Sequence, residues 1–164
     1  SIVSRLMSLG QTLALPERDK YQQTKSELID MMAMMLGGRA AERLVFKELT
    51  AGAANDIEKV TRVARKMVVD FGMSDLGPVA LGPMWETSEW GRSFVEPDQV
   101  SEEMKAKIDK EVKRLVDDAM KTAEAVLRKN MKKVDKLVEV LLAQETVEGE
   151  EFEKIMGVKK ASNE

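Results

Sequence analysis

The 164-residue sequence contains no cysteine and no histidine. Without cysteine the chain forms no disulfide, which is compatible with a reducing compartment. With neither residue, the chain has no thiolate or imidazole ligands, so it cannot complete a metal site of that kind. The same two absences exclude Cys–His and Ser–His–Asp catalysis by this chain alone.

Aromatic residues and long apolar runs are also scarce. Aromatic residues make up 4% of the sequence, so the core must use aliphatic side chains and the 12 methionines. No apolar run approaches the roughly 20 residues that span a bilayer. The net charge of −3 argues against a generally basic nucleic-acid-binding protein. No G-x-x-x-x-G-K-[ST] motif occurs, so no nucleotide site is predicted.

What the sequence does contain favours helices. Charged residues make up 34% of the chain, and Ala, Lys, Glu and Met are abundant. Apolar residues recur at helical spacing in several segments, which predicts a mainly α-helical bundle. Near the N-terminus, Leu9, Gln11 and Leu13 alternate apolar and polar character, which predicts a short β-strand or hairpin ending at Pro16. An irregular terminal arm is the alternative.

Local signals set the expected limits of the first helices. Thr24 and Glu27 match a T-x-x-E capping box before the first helix. This helix is expected to run through Gly37 and Gly38, with another element approaching closely enough to offset the cost of two glycines. A break into two helices is the alternative. Asn55 is expected to cap the next helix.

The second half of the chain has its own stop and start signals. Gly72 is the expected stop of the preceding helix, and residues 72–100 form the longest stretch predicted to be irregular. Ser101 is expected to cap the longest helix, Asn130 to mark a turn, and Gly157 to end the last helix. Residues 1–158 are therefore expected to form one domain, with a disordered tail over 159–164.

Three ordered motifs carry a resemblance to a known family. They are L-G-G-R-A-A-E at residues 36–42, T-A-G-A-A-N-D-I at 50–57, and F-G-M-S at 71–74 followed by L-G-P at 76–78. In this order and spacing they resemble the peptidase domain of the FtsH family of membrane-anchored AAA+ zinc proteases. The likeness continues through G-R-S at 91–93, I-D-K-E-V at 108–112 and E-T-V at 145–147, and it covers nearly the whole chain.

The resemblance implies a zinc-ligand role for Asp56. Family members hold Zn²⁺ through two histidines of an H-E-x-x-H helix, whose glutamate is the general base, and through an aspartate at the position of Asp56. The H-E-x-x-H helix is expected just before Ser1, and the absence of histidine shows that it is not in this chain. The chain by itself is therefore expected to hold no catalytic residue, to be inactive and not to bind zinc stably. From the residues alone, Asp56 is equally a first-turn acid that interacts with the helix dipole.

Two further roles follow from the resemblance. Glu42 lies in a helix that packs near the zinc helix in the family, which implies a supporting role near the metal, although a simple ion pair is as good an interpretation. The segment resembling the family's edge strand is expected to bind an extended substrate by β-pairing. Its residues are Leu9, Gly10, Gln11 and Thr12.

The sequence departs from the family pattern at three places. Residues 4–6, Ser-Arg-Leu, replace the Pro-Arg-Gly that precedes the edge strand in the family. Arg43 stands where an acid is usual, and Trp90 stands where leucine usually precedes Gly-Arg. None of these departures involves Asp56.

The resemblance also implies the setting of the intact protein. It would be an ATP-dependent homo-hexameric protease that degrades unfolded or membrane proteins, anchored through a segment outside this chain. This domain would lie on the cytoplasmic side, or on the matrix or stroma side in an organelle, and no nucleic-acid partner is expected. The sequence starts at Ser1 without an initiator methionine, which suggests a fragment. The rival prediction is a non-catalytic helical assembly module, a truncated or degenerate relative of the family.

Overall fold

The computed structural model describes residues 1–3, 22–81, 84–88, 91–95 and 100–157, with the backbone alone for 84–88 and 91–95. The helical class predicted from the sequence is confirmed. The predicted N-terminal strand, with Leu9 to Thr12, lies outside the described residues, except that residues 1–3 form no strand. The helices are α1 (Lys25–Met35), α2 (Gly37–Val45), α3 (Ala54–Val69), α4 (Glu102–Gln144) and α5 (Gly149–Met156), and a 3-10 turn covers Ala51–Ala53.

The chain divides into two compact units. One is Gln22–Ala125, and the other joins Val126–Glu164 with Ser1–Tyr21. The first unit holds every hydrophobic side chain that is buried in the described part of the chain, drawn from α1, α2, α3 and the first half of α4. The core is aliphatic, as the composition predicts, and includes Met32 and Met67. Its members are Leu28, Met32, Ala33, Leu36, Ala40, Val60, Ala64, Met67, Val68, Ile108, Val112, Leu115, Ala119 and Ala123.

The start of α1 and its junction with α2 are set by local geometry. The capping box at Thr24 is confirmed, because the Glu27 amide donates to the Thr24 hydroxyl at 3.3 Å and the Thr24 amide donates to the Glu27 carboxylate at 2.9 Å. The prediction of one continuous helix was wrong. The helix breaks at buried Leu36, whose ψ of −2° departs from the helical value of about −42°.

The two glycines that follow Leu36 do not explain the break. Both lie within α2, and a Cβ built on Gly37 or Gly38 meets no atom within 4 Å outside the local helix backbone. The expected close approach by another element is therefore not seen among the described residues.

A β-hairpin interrupts the segment that was predicted to be irregular. Strand β1 (Met84–Ser88) pairs antiparallel with strand β2 (Gly91–Val95), with Met84 opposite Val95 and Ser88 opposite Gly91. The prediction for residues 72–100 was wrong here. The two strands carry Trp, Thr, Phe and Val and are separated by two residues, which is a short-range hairpin pattern.

Gly72 turns the chain after α3. The helix itself ends at Val69, and Gly72 then adopts a φ of +60°. A Cβ at this position would lie 2.8 Å from the Cα of Pro78, closer than real Cβ contacts allow. Glycine is therefore required here both by its backbone conformation and by the space available.

A buried carboxylate fastens the segment after this turn to α4. Glu111 is only 9% exposed, and its Oε2 accepts a hydrogen bond from the Asp75 amide at 3.2 Å. The Arg114 guanidinium donates to both oxygens of Glu111, through Nε at 3.0 Å and Nη2 at 2.8 Å. These bonds, the Arg114 ones above all, hold the pKa of Glu111 below its usual value despite burial. The same guanidinium lies 3.3 Å from the Asp75 carboxylate.

The described part of the second unit is a helical hairpin without buried side chains. The non-helical Asn130 (φ −112°, ψ 15°) kinks α4, so that two helical segments meet at the residue predicted to mark a turn. Lys133 donates to the Met156 carbonyl at 2.5 Å, and Gly157 ends α5 in the left-handed conformation, as predicted. None of residues 126–157 is buried. Among the helices that the structure describes, none is long and apolar enough to cross a membrane.

We predict opposite signs for alanine substitution at two glycines. Gly72→Ala should lower the free energy of unfolding by about 1–3 kcal/mol, because the new Cβ meets Pro78 and the left-handed backbone is strained. Gly38→Ala, the matched control inside α2, should raise it by up to about 1 kcal/mol, because helical glycine is unfavourable. Urea denaturation measures the free energy of unfolding of both variants. Equal changes in the two variants would contradict the special requirement for glycine at position 72.

Candidate metal-ligand site at the start of α3

A threonine caps the 3-10 turn that leads into α3. Thr50 is extended, and its hydroxyl accepts a hydrogen bond from the Gly52 amide at 3.2 Å, which begins the 3-10 turn. Helix α3 then starts at Ala54, with Ala53 at its N-cap and no side-chain capping bond. The prediction that Asn55 caps this helix was wrong, because Thr50 takes that role one turn earlier and leaves Asn55 inside α3.

Two side chains of α2 bind every polar backbone and side-chain group of Thr50. The Thr50 hydroxyl donates to Glu42 Oε1 at 2.5 Å, and the Thr50 amide donates to Glu42 Oε2 at 3.3 Å. Arg39 Nη1 donates to the Thr50 carbonyl at 2.9 Å and lies 3.6 Å from Glu42 Oε2. We call these contacts the Thr50 clamp. The clamp physically joins the first two sequence motifs, because it ties α2 to the loop that leads into α3.

The electrostatics of Glu42 follow from this clamp. The hydroxyl and the amide of Thr50 both donate to the carboxylate, and Arg39 adds a nearby positive charge. These donors favour the ionised form and hold the pKa of Glu42 below its usual value. Glu42 therefore acts in this chain as the acceptor that positions Thr50, while its predicted place near a metal stays a prediction.

Asp56 lies in the first turn of α3, four residues beyond Gly52. Its side chain is 48% exposed, and its Oδ1 lies 3.7 Å from the Nζ of Lys59. The carboxylate is therefore accessible to a ligand. Its place at a helix N-terminus also suits an acid that interacts with the helix dipole, so both interpretations of Asp56 remain open.

The described side chains do not by themselves form a zinc centre. Within the part of the chain that the structure describes, no group of three His, Cys, Asp or Glu side chains is placed to hold a metal. The carboxylate of Asp56 is a suitable single zinc ligand in type and exposure. A zinc centre built from it needs ligands that the described residues do not supply, and the chain has no histidine.

The remaining predicted site residues are placed as follows. Leu9, Gly10, Gln11 and Thr12 lie outside the described residues. Arg43, the departure from the family pattern, points a guanidinium nitrogen to within 3.2 Å of the Glu124 carboxylate on α4. Sequence reasoning missed Arg39 and Thr50 as parts of the site. The available signal was the pair of Arg39 and Glu42, which stand at i and i+3 on one face of α2.

Comparison with known proteins agrees with the motifs. The model of peptidase family M41 matches residues 1–155. This chain belongs to peptidase family M41. The resemblance drawn from the three motifs is thereby confirmed, because M41 relatives of the chain carry the FtsH name.

Three M41 relatives illustrate the likeness. The ATP-dependent zinc metalloprotease FtsH of Thermotoga maritima is 46% identical over 158 residues, which is 95% of this chain and 26% of the relative. FtsH 1 of Thermoanaerobacter sp. is 44% identical over 94% of this chain and 26% of its own length. FtsH of Caldicellulosiruptor bescii is 41% identical over 95% of this chain, which is 26% of its own length. The chain thus spans about a quarter of the length of these relatives.

The clamp predicts a pH-dependent loss of stability in Glu42→Gln. The folded-state pKa of Glu42 lies below its ordinary 4.5, so the carboxylate contributes stability above about pH 4.5. That contribution disappears as the pH falls through the lower, folded-state pKa. The thermal midpoint of Glu42→Gln should therefore lie below that of the unmodified chain at neutral pH, and the gap should close in acid.

A matched control separates the clamp from a general charge effect. Glu58→Gln removes an equal charge from an exposed pair with Arg62 on α3, and it should leave the midpoint nearly unchanged. Thermal melts of both variants across a pH series give the comparison. A Glu42→Gln gap that stays constant into acid would show that the carboxylate charge contributes nothing.

Proposed function

We propose that this chain is part of the peptidase domain of an ATP-dependent zinc metalloprotease and that Asp56 supplies one zinc ligand. The observation that carries the proposal is the position of the T-A-G-A-A-N-D motif. Through Thr50, it is anchored to α2 and presents an accessible carboxylate in the first turn of α3. Family membership supports the same assignment.

The residues of this chain have distinct roles in the proposal. Bound zinc would activate water and polarise the scissile carbonyl. Asp56 would hold the metal through its carboxylate, and Glu42 and Arg39 would keep the preceding loop in place so that this carboxylate stays oriented. Leu9, Gly10, Gln11 and Thr12 would bind an extended stretch of substrate by β-pairing. The general base and the histidine ligands are not in this chain.

The whole protein is proposed to act as a homo-hexamer on unfolded or membrane proteins. A membrane anchor outside this chain would hold it, with this domain on the cytoplasmic side or the equivalent side in an organelle. Residues 1–158 would form the peptidase portion. The rival is a non-catalytic helical assembly module, a truncated or degenerate relative of the family. A zinc measurement on the intact protein would separate it from a protease.

Asp56→Asn in the intact protein tests the ligand role. Asparagine keeps the shape of the side chain but removes the anionic ligand, so proteolysis and bound zinc per subunit should both fall sharply. ATP hydrolysis should persist, because it occurs at a separate site. Stability should change by less than about 1 kcal/mol, because the interaction of a half-exposed first-turn acid with the helix dipole is of that size.

The control for this substitution is Asp30→Asn. Asp30 is exposed on α1 and outside the Thr50 clamp, so the same chemical change should leave proteolysis and zinc content unaltered. Normal proteolysis with full zinc occupancy in Asp56→Asn would return Asp56 to a helix-dipole role.

The isolated chain should show no zinc-dependent proteolysis. It lacks histidine ligands and the base, so zinc has too few protein ligands here to activate water. Incubation of the purified chain with unfolded casein and Zn²⁺ should give no cleavage that a chelator abolishes, and calorimetry should show only weak zinc binding. Chelator-sensitive cleavage that survives repeated purification, or submicromolar zinc affinity, would contradict the expectation.

A further inference from the structure

A pocket with three basic residues in its lining adjoins the Thr50 clamp, since Arg39 belongs to both. Its volume is about 380 Å³, and it is lined by Arg39, Arg43, Lys47, Leu49 and Met120. Arg39 and Arg43 are four residues apart on α2, a spacing that places helical side chains on one face, and Lys47 follows just after the end of that helix. No carboxylate from the described residues lines the pocket.

The two arginines are fixed by groups outside the pocket lining. Arg43 lies 3.2 Å from the Glu124 carboxylate, which is only 19% exposed, and Arg39 donates to the Thr50 carbonyl. Their guanidinium groups are therefore held in place before any ligand arrives, which lowers the entropy cost of binding. Lys47 is different, because no carboxylate of the described residues lies within ion-pair distance of it. The pocket thus carries a positive charge that its walls leave uncompensated.

The backbone at Lys47 gives independent support. Its φ is +56°, in the left-handed region that glycine normally occupies just after a helix. A lysine there is strained relative to glycine, and strain of this kind points to a role for the side chain. A lysine near a helix C-terminus also interacts favourably with the helix dipole, so the two roles need an experiment that separates them.

The apolar side of the pocket defines the rest of the ligand. Leu49 is 56% exposed although it is a large hydrophobic residue, and Met120 forms the facing wall from α4. The cavity is at the lower end of the range for small-molecule sites, roughly 300–1,000 Å³. We propose that this pocket binds a small organic anion, a carboxylate on a short aliphatic chain. The carboxylate lies against Arg39, Arg43 and Lys47, and the chain lies against Leu49 and Met120.

The first experiment measures binding with three probes. The full chain, labelled at its methionine methyl groups, is titrated with hexanoate, hexanol and inorganic phosphate while the Met120 signal is followed by NMR. Hexanoate should shift the Met120 signal saturably and bind more tightly than the other two. Equal binding of hexanol would overturn the role of the cations, and equal binding of phosphate would overturn the role of the aliphatic chain.

The second experiment separates binding from helix capping. Lys47→Gly and Lys47→Asn both suit the left-handed backbone, so the thermal midpoint should stay the same or rise. Hexanoate affinity should fall by about threefold to tenfold, as expected for losing one partly exposed charged contact. The control Lys110→Gln removes an equal charge from an exposed site on α4 and should leave affinity unchanged.

Hexanoate affinity and the thermal midpoint of the Lys47 variants together test the proposal. Weaker hexanoate binding at an unchanged or higher midpoint in either Lys47 variant supports it. Unchanged hexanoate affinity in both variants would overturn it, as would an equal loss of affinity in Lys110→Gln. A lower midpoint in both variants with unchanged affinity would assign Lys47 to the helix dipole instead.

Discussion

The hydrogen bonds between α2 and Thr50 fix where α3 begins. Glu42 and Arg39 together bind the hydroxyl, the amide and the carbonyl of one threonine, which leaves that residue a single orientation. The hydroxyl in turn accepts from the Gly52 amide and starts the turn into the helix. The first turn of α3, with Asp56, is therefore placed by tertiary contacts rather than by a capping side chain of its own.

The parts of the fold that are predicted correctly are those in which a few adjacent residues determine the geometry. The capping box at Thr24, the Ser101 cap, whose hydroxyl accepts from the Met104 amide at 3.2 Å, and the left-handed Gly157 are all of this kind. The helical class also follows from repeated apolar spacing, since burial of one helix face needs only the right period. Features that depend on contacts outside their own segment fail more often, although the local hairpin of β1 and β2 was also missed.

Three particular features show this dependence. The position of the α3 cap depends on Glu42, which lies eight residues before Thr50. The break after α1 falls at Leu36, a buried residue that the sequence pattern alone does not separate from an ordinary core position. The sequence pattern also gives no sign that Glu111 is buried on α4, where Arg114 and the Asp75 amide satisfy its carboxylate.

The sequence motifs single out the position of the candidate site, but no local property of the residues reveals its metal-binding chemistry. The order of three motifs placed the chain in its family and singled out Asp56. No local physical property distinguishes this half-exposed carboxylate from any other acid in a first helical turn. A metal ligand is defined by the other ligands around it, and those are not among the residues of this sequence that the structure brings near Asp56.

Helix α4 combines two kinds of environment in one continuous backbone. Its first half buries Ile108, Val112, Leu115, Ala119 and Ala123, whereas no side chain of residues 126–157 is buried. Apolar burial, rather than backbone hydrogen bonding alone, provides most of the stability of a helix in water. The two halves should therefore belong to different cooperative units, with the end of α4 opening and closing many times while its beginning stays shut. Although its hydrogen-bonded backbone runs on through the kink at Asn130, α4 therefore behaves as two units in local unfolding.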